Sequence, residues 1–314
     1  MALEREAGLE RRPGRDLCEV GDLDLAETCA LLAAARGLLP LAAGEGPRGV
    51  LALRGAVILR IFAEPSTRTR VSFEVAAARL GAQLIDFSAD AASSAAKGET
   101  ELDALRNLDA MGFDAAIVRD RRDGHARWLS GQLRARIINA GDGVNEHPTQ
   151  ALLDALTILE AFGRDAVPGA MRGLGAEVVL AGPGELAPAA LAAAEGVDLA
   201  PDLDSALRGA HVAMMLRIQR ERLGAEVSLP ELASEAAYHA AWGLTSARMG
   251  LLDPAGVVLH PGPMNRGVEI SDAVADGPRS RIFRQVTLGV AVRMAVLARA
   301  CGVSLETCLK ELSQ

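Results

Sequence analysis

Two spacings of apolar residues take turns along this chain, and the switches between them lay out a repeating order of strand and helix. Ala56-Val57-Ile58-Leu59-Arg60-Ile61-Phe62 is an almost unbroken apolar run of strand length. Beyond it Val71, Val75, Ala78 and Leu80 form one face of a helix that Gly81 ends. The same reading predicts a helix over Asp24–Leu39, a short strand at Gln83–Phe87 and a helix over Glu101–Met111 with Leu102, Leu105, Leu108 and Met111 on one side. Strands follow at Ala115–Val118 and Arg136–Ala140, then a helix from the Asn145-Glu146-His147-Pro148 segment to Phe162. Later strands fall near Gly175–Leu180, His211–Met215 and Gly256–Leu259, and a last long helix near Val286–Cys301. Alternating strands and helices predict an α/β protein with parallel sheets flanked by helices.

In such sheets ligands sit beyond the carboxyl ends of the strands, and the polar residues of this chain gather at those ends. After the first strand comes Glu64-Pro65-Ser66-Thr67-Arg68-Thr69-Arg70, with Ser66 expected as the N-cap. The first N–H groups of a helix lack intrahelical partners, and its positive dipole end disfavours cations, so arginines in this turn point to a bound anion such as phosphate. A capped helix with solvated arginines is the plainer alternative. Arg119 ends the third strand, and His147 and Gln150, one turn apart, open the helix that follows the fourth. A lone histidine at a helix start is also a common structural hydrogen-bonder.

Composition narrows the class. A chain of 314 residues predicts two domains rather than one core. Half the residues are hydrophobic, yet no run approaches the roughly 20 apolar residues of a membrane span. The opening Met1-Ala2-Leu3-Glu4-Arg5-Glu6 has no basic segment leading into an apolar one, so a cytoplasmic address is expected. The net charge of −8 argues against a nucleic-acid partner. Cys18, Cys29, Cys301 and Cys308 lack metal-ligand spacing, which predicts free thiols and no metal.

Three further segments bear on chemistry. In Leu216-Arg217-Ile218-Gln219-Arg220-Glu221-Arg222, alternation would place Arg217 and Gln219 on one side, suited to a carboxylate; a solvated charge run fits equally well. His260-Pro261-Gly262-Pro263-Met264-Asn265 is a rigid turn after a strand, whose prolines would aim backbone carbonyls at a ligand. Ser93 and Lys97 lie on a loop of small residues, and Lys97 and Lys310 are the only lysines.

Taken together, these segments resemble the aspartate carbamoyltransferase family. Ser66-Thr67-Arg68-Thr69-Arg70 is similar to its carbamoyl-phosphate loop and His147-Pro148-Thr149-Gln150 to its HPTQ motif. Arg217-Ile218-Gln219-Arg220-Glu221-Arg222 and His260-Pro261-Gly262-Pro263 are similar to its aspartate-side signatures. Ornithine carbamoyltransferases share the first two motifs but typically carry a cysteine where this chain has Pro261, which favours the aspartate branch.

The resemblance implies two Rossmann-like domains, a carbamoyl-phosphate domain over 1–146 with the C-terminal helix 286–314 returning to it, and an aspartate domain over 147–285. It implies transfer of a carbamoyl group from carbamoyl phosphate to L-aspartate without cofactor or metal. Ser66, Thr67, Arg68, Thr69, Arg119, His147 and Gln150, with Ser93 and Lys97, would bind carbamoyl phosphate; Arg68, Thr69, Arg119 and His147 would carry catalysis. Lys97, Arg217, Gln219, Gly262 and Pro263 would bind aspartate. A homotrimer with sites shared between subunits is implied, Ser93 and Lys97 reaching into a neighbour's site, with room for a larger assembly. The chain departs from the family in one place: Gly163 to Leu174 is too short for the strand, loop and helix that relatives carry there, so the second domain is expected to be short of one βα unit and of the arginine that grips the aspartate α-carboxylate. A non-catalytic homologue serving as a structural or regulatory subunit, and a transferase for another amine, are the other readings.

Overall fold

The structure is a computed structural model that describes residues 11–46, 51–87, 99–162, 176–184, 186–187, 189–218 and 230–311. The chain divides into two compact units, 1–153 with 286–314 and 154–285. The divide cuts α6, later than the boundary expected before His147, because the start of that helix serves the end of a first-unit strand.

In the first unit, α1 (Leu25–Gly37) and α2 (Leu39–Ala43) precede β1 (Val57–Phe62), α3 (Thr67–Arg79), β2 (Gln83–Phe87), α4 (Glu101–Asp109), β3 (Ala115–Asp120), α5 (His125–Ser130), β4 (Arg136–Asp142) and α6 (Pro148–Phe162). The four strands form one parallel sheet in the order β2-β1-β3-β4. Its two central strands, β1 and β3, are buried along most of their length, as expected when helices cover both faces, while edge strand β2 is largely exposed. Leu59 and Ile61 of β1, Ala116 and Val118 of β3 and Ile137 of β4 pack with Leu105 of α4 and Leu129 of α5 in one core.

The second unit holds β5 (Val179–Leu180), α7 (Ala189–Glu195), β6 (Asp198–Leu199), α8 (Leu203–Leu207), β7 (Val212–Met214), α9 (Glu235–Trp242), β8 (Val257–Leu259), α10 (Asp272–Ala275) and the start of α11 (Ile282–Ala300). Among the described residues its strands form two separate parallel pairs, β5-β6 and β7-β8, rather than one sheet. Ala213, Val258, Leu244 and Ile270 centre its main core. The rest of α11 and α12 (Leu305–Glu311) belong to the first unit, where the Arg15 N–H donates to the Arg299 carbonyl at 3.3 Å. Among the described residues no helix is long and apolar enough to cross a membrane.

Candidate active site

Parallel pairing puts the carboxyl ends of β1, β3 and β4 side by side. Phe62 pairs with Arg119 and Asp120 with Asp142, and the Ala63 N–H donates to the Arg119 carbonyl at 2.9 Å. Leaving β1, the chain enters α3 at Ser66, which holds the N-cap position in extended backbone, but its hydroxyl makes no capping hydrogen bond. A serine that stands at the cap without capping leaves its hydroxyl to a ligand of the helix start. Thr67 and Arg68 are exposed in the first turn and Thr69 is buried. Of the two arginines of this turn, Arg70 pairs with Asp86 at 2.6 Å, tying the helix start to β2.

Arg119 is held from two sides, by the Ala140 carbonyl at 2.7 Å and by Glu64 at 3.2 Å. Gly141, at φ +113°, lies against it: a side chain there would overlap the Arg119 guanidinium and come within 3.6 Å of the His147 ring. Arg119 and His147 therefore share the space over Gly141. The Nε2 atom of His147 is shut off from solvent and has no hydrogen-bond partner among the described residues, although the residue as a whole is only half-buried. Burial, with the positive charges of Arg293 and Arg119, pushes its pKa well below the ordinary histidine value, so the ring is neutral at physiological pH. Thr149 Oγ1 lies 3.4 Å from Nδ1; a hydroxyl donating there leaves the proton on Nε2. Pro148 opens α6, and the Gln150 N–H donates to the His147 carbonyl at 2.9 Å, placing half-buried Gln150 one turn on.

The residues that shape this corner escaped the sequence reading. Asn139, wholly buried in β4, donates to the Cys18 carbonyl at 2.9 Å and to Asp142 at 2.8 Å, and accepts from the Gly141 N–H at 2.8 Å. Asp142 accepts from the Gly124 N–H at 2.9 Å and from the Glu146 N–H at 3.2 Å. This network sets the path from β4 to His147. Its sequence signal is a polar Asn inside an apolar strand two residues before a glycine, a sign that a buried side chain is serving backbone groups. Arg60, 1% exposed in the middle of β1, was likewise read only as part of an apolar run. Its guanidinium meets Asp86 and lies 2.7 Å from Glu74, which ties α3 to β1 and β2 and meets the need of a buried charge for partners.

Among the described residues one cluster has the makings of a metal site, Glu101, Asp120 and His125. A guanidinium already stands in it: Arg122 lies 2.7 Å from both Glu101 oxygens and 2.7–2.8 Å from Asp120. Against the opposing pull of burial, these bonds hold the Asp120 carboxyl down at about 2. The Arg122 guanidinium thus stands where a cation would and offsets one of the two carboxylate charges.

In the second unit β7 stops at Met214, so the strand alternation expected through Arg217 does not extend to it. Arg217 lies half-buried past the strand end, and Gln219 lies outside the described residues. The reason is length: among the described residues β7 pairs with β8 over three residues and ends where that partner ends. Gly262, at φ +66°, and Pro263 form the turn expected after β8. Ser93, Lys97 and the segment from Gly163 to Leu174 also lie outside the described residues.

Comparison with known proteins adds to this geometry. Residues 15–160 match the aspartate/ornithine carbamoyltransferase, carbamoyl-P binding domain, and residues 168–300 the Asp/Orn binding domain of the same family. The aspartate carbamoyltransferase catalytic subunit of Gluconobacter oxydans is 46% identical over 295 aligned positions, covering 88% of this chain and 90% of that protein. The chain belongs to the aspartate/ornithine carbamoyltransferase family. The Sorangium cellulosum catalytic subunit is 44% identical, with 91% and 92% of the two chains covered. Aspartate transcarbamoylase from Trypanosoma cruzi, in complex with carbamoyl phosphate and aspartate, superposes with a TM-score of 0.75 at 30% identity over 96% of this chain and 99% of that one. An ornithine carbamoyltransferase from Gloeobacter violaceus gives a TM-score of 0.71 at 28% identity, covering 93% and 100%. In the Gluconobacter alignment, 88% of 314 residues is about 276, fewer than the 295 positions compared, so that relative carries residues that this member lacks.

Proposed function

We propose that this chain transfers the carbamoyl group of carbamoyl phosphate to the amine of L-aspartate, giving N-carbamoyl-L-aspartate and phosphate. Relatives that carry the aspartate carbamoyltransferase name at 43–46% identity support the reaction, as does the solved structure of a relative with carbamoyl phosphate and aspartate bound. The observation that carries the site is His147, neutral, with a buried Nε2 that no group among the described residues satisfies, beside Arg119 at the ends of β3 and β4. A polar atom left bare in this way costs free energy that a bound carbonyl oxygen would recover.

The amine nitrogen attacks the carbamoyl carbon, negative charge gathers on the carbonyl oxygen, and the bond from that carbon to the phosphate oxygen breaks. Phosphate departs with the electron pair and takes up a proton released by the amine. Ser66, Thr67, Arg68 and Thr69 hold the phosphate through helix N–H groups, hydroxyls and guanidinium. Arg119, His147 and Thr69 donate to the carbonyl oxygen as its charge grows, and Gln150 accepts from the carbamoyl NH2. Glu64, in contact with Arg119, holds that guanidinium in place. Arg217, Gln219, Gly262 and Pro263 orient aspartate, and Ser93 and Lys97 act across a homotrimer interface in the cytoplasm. Much of the rate then comes from holding two reactants together.

Calorimetry with carbamoyl phosphate, alongside an assay for carbamoyl aspartate, tests the reading. Binding at millimolar ligand that Arg68→Ala abolishes is expected; a folded protein that binds nothing refutes it.

A further inference from the structure

The buried polar groups of the second unit converge on His260, a residue to which the reaction chemistry above gives no part. Its side chain and that of Glu269 are both wholly buried. The Gly262 N–H donates to His260 Nδ1 at 2.7 Å. Because a backbone N–H can only donate, Nδ1 must be the bare nitrogen of the ring, and the proton sits on Nε2. That proton points to Glu269 Oε1 at 3.1 Å, and the same oxygen accepts from the Asn265 N–H. The two side chains thus bind the backbone of the turn on both sides of Pro263, at Gly262 and at Asn265. The base of the turn is fixed as well: the His260 N–H donates to Gln285 Oε1 at 2.8 Å, and Gln285 Nε2 donates to Asp154 at 2.7 Å. Asp154 and Gln285 are the first and last residues of the unit, so the turn is tied to both its ends.

We infer that His260 is a positioning residue of this enzyme, which sets the backbone of the Gly262–Pro263 turn by accepting the Gly262 N–H at Nδ1 while Glu269 holds the ring from behind. The inference rests on the proposed role of that turn in substrate binding. Gly262 stands in the left-handed region, and a bond to its N–H fixes which way the Pro261–Gly262 peptide unit faces. Glu269 acts through one oxygen: Oε1 takes both bonds, and Oε2, buried, takes none among the described residues. Its task is therefore to accept two hydrogen bonds at one point.

Two substitutions in the full chain separate positioning from bulk stability, since each keeps one of the two ring bonds. Asparagine carries an acceptor oxygen where Nδ1 stands and loses the reach to Glu269. Glutamine carries a donor where Nε2 stands and loses the acceptor for Gly262. If His260 only stabilised the unit, His260→Asn and His260→Gln would both lower the unfolding temperature, and kcat of the folded enzyme would be the same in the two variants. Positioning predicts a similar loss of thermal stability in both but a split in activity: kcat within about 3-fold of the parent for His260→Asn, and about 10-fold or more down for His260→Gln, the size of one lost hydrogen bond. Hydrogen exchange of the Gly262 amide is expected to follow the same split, about 10-fold faster in His260→Gln only. Glu269→Gln, which can keep its carbonyl oxygen on both donors, is expected to match the parent in both readouts. Equal kcat and equal Gly262 exchange in the two His260 variants overturn the inference. A parent that forms no carbamoyl aspartate refutes the reaction instead, and the exchange measurement then decides the positioning role without turnover.

Discussion

Gly141→Ala isolates the corner where Arg119 and His147 meet. The new methyl group would overlap Arg119 Nη1, stand 3.2 Å from its Cζ and 3.6 Å from His147 Cδ2. Arg119 is held to the Ala140 carbonyl and to Glu64, so it moves only by giving up those contacts. Two costs follow, and they are read separately. At φ +113° a residue with a side chain is strained by about 1–3 kcal/mol, which lowers the unfolding temperature. A typical domain with about 5–15 kcal/mol of stability would still be almost wholly folded, so strain alone leaves kcat per molecule nearly unchanged. Displacing a donor to the developing oxyanion costs about 100- to 1000-fold in kcat. Gly55→Ala is the control: it sits at φ +87° with open space around the added carbon, so it bears the strain without the collision. The expected result is a comparable fall in unfolding temperature for both variants, with kcat reduced at least about 100-fold in Gly141→Ala alone. A Gly141→Ala enzyme that keeps kcat within about 3-fold while folded would refute the role given to the Arg119–His147 corner.

Two other outcomes are expected. His147 is held neutral far below its ordinary pKa, so kcat should show no acid limb near pH 6.5, and a limb there that His147→Asn removes would contradict the buried, bare ring. For stability the sign follows from the same shift: the unfolded chain takes up a proton below about pH 6.5 that the folded chain refuses, so this group favours folding fully above that pH and progressively less below it, as thermal unfolding of parent and His147→Asn across pH 5–8 can check. Aspartate is expected to saturate poorly, on the sequence expectation that the short 163–174 segment carries no arginine for the α-carboxylate; one such charge-assisted contact is worth roughly 1.5–3 kcal/mol, about 10- to 150-fold in affinity. Inserting the strand, loop and helix of a relative should lower the Michaelis constant for aspartate, and an unchanged constant would show that the shortening does not weaken the site.

The sequence by itself determined the α/β class, the parallel pairing and the strand ends at which Ser66, Arg119 and His147 stand. These are local properties: apolar runs of strand length, a helical face ended by Gly81, and Pro148 at a first helical turn are each written within a few residues. The motif residues of the phosphate loop and of the His147 helix were legible for the same reason. What tertiary structure decided lies in relations between distant residues. Only the sheet brings Asn139 to the Cys18 carbonyl and Arg60 between Asp86 and Glu74, so a strand that read as apolar carries a buried ion network. Only folding shows that Ser66 occupies the cap position without capping, and that of two neighbouring arginines Arg70 is committed to Asp86. The alternation that grouped Arg217 with Gln219 presumed a strand, and β7 stops at Met214 because pairing, not composition, sets where a strand ends. Likewise His260 acquires its tautomer from the Gly262 N–H on one side and Glu269 on the other, and Gly141 its importance from an arginine that arrives from another strand. Hydrogen-bond satisfaction and steric exclusion join groups far apart in the chain, and for that reason they become readable only once the chain is folded.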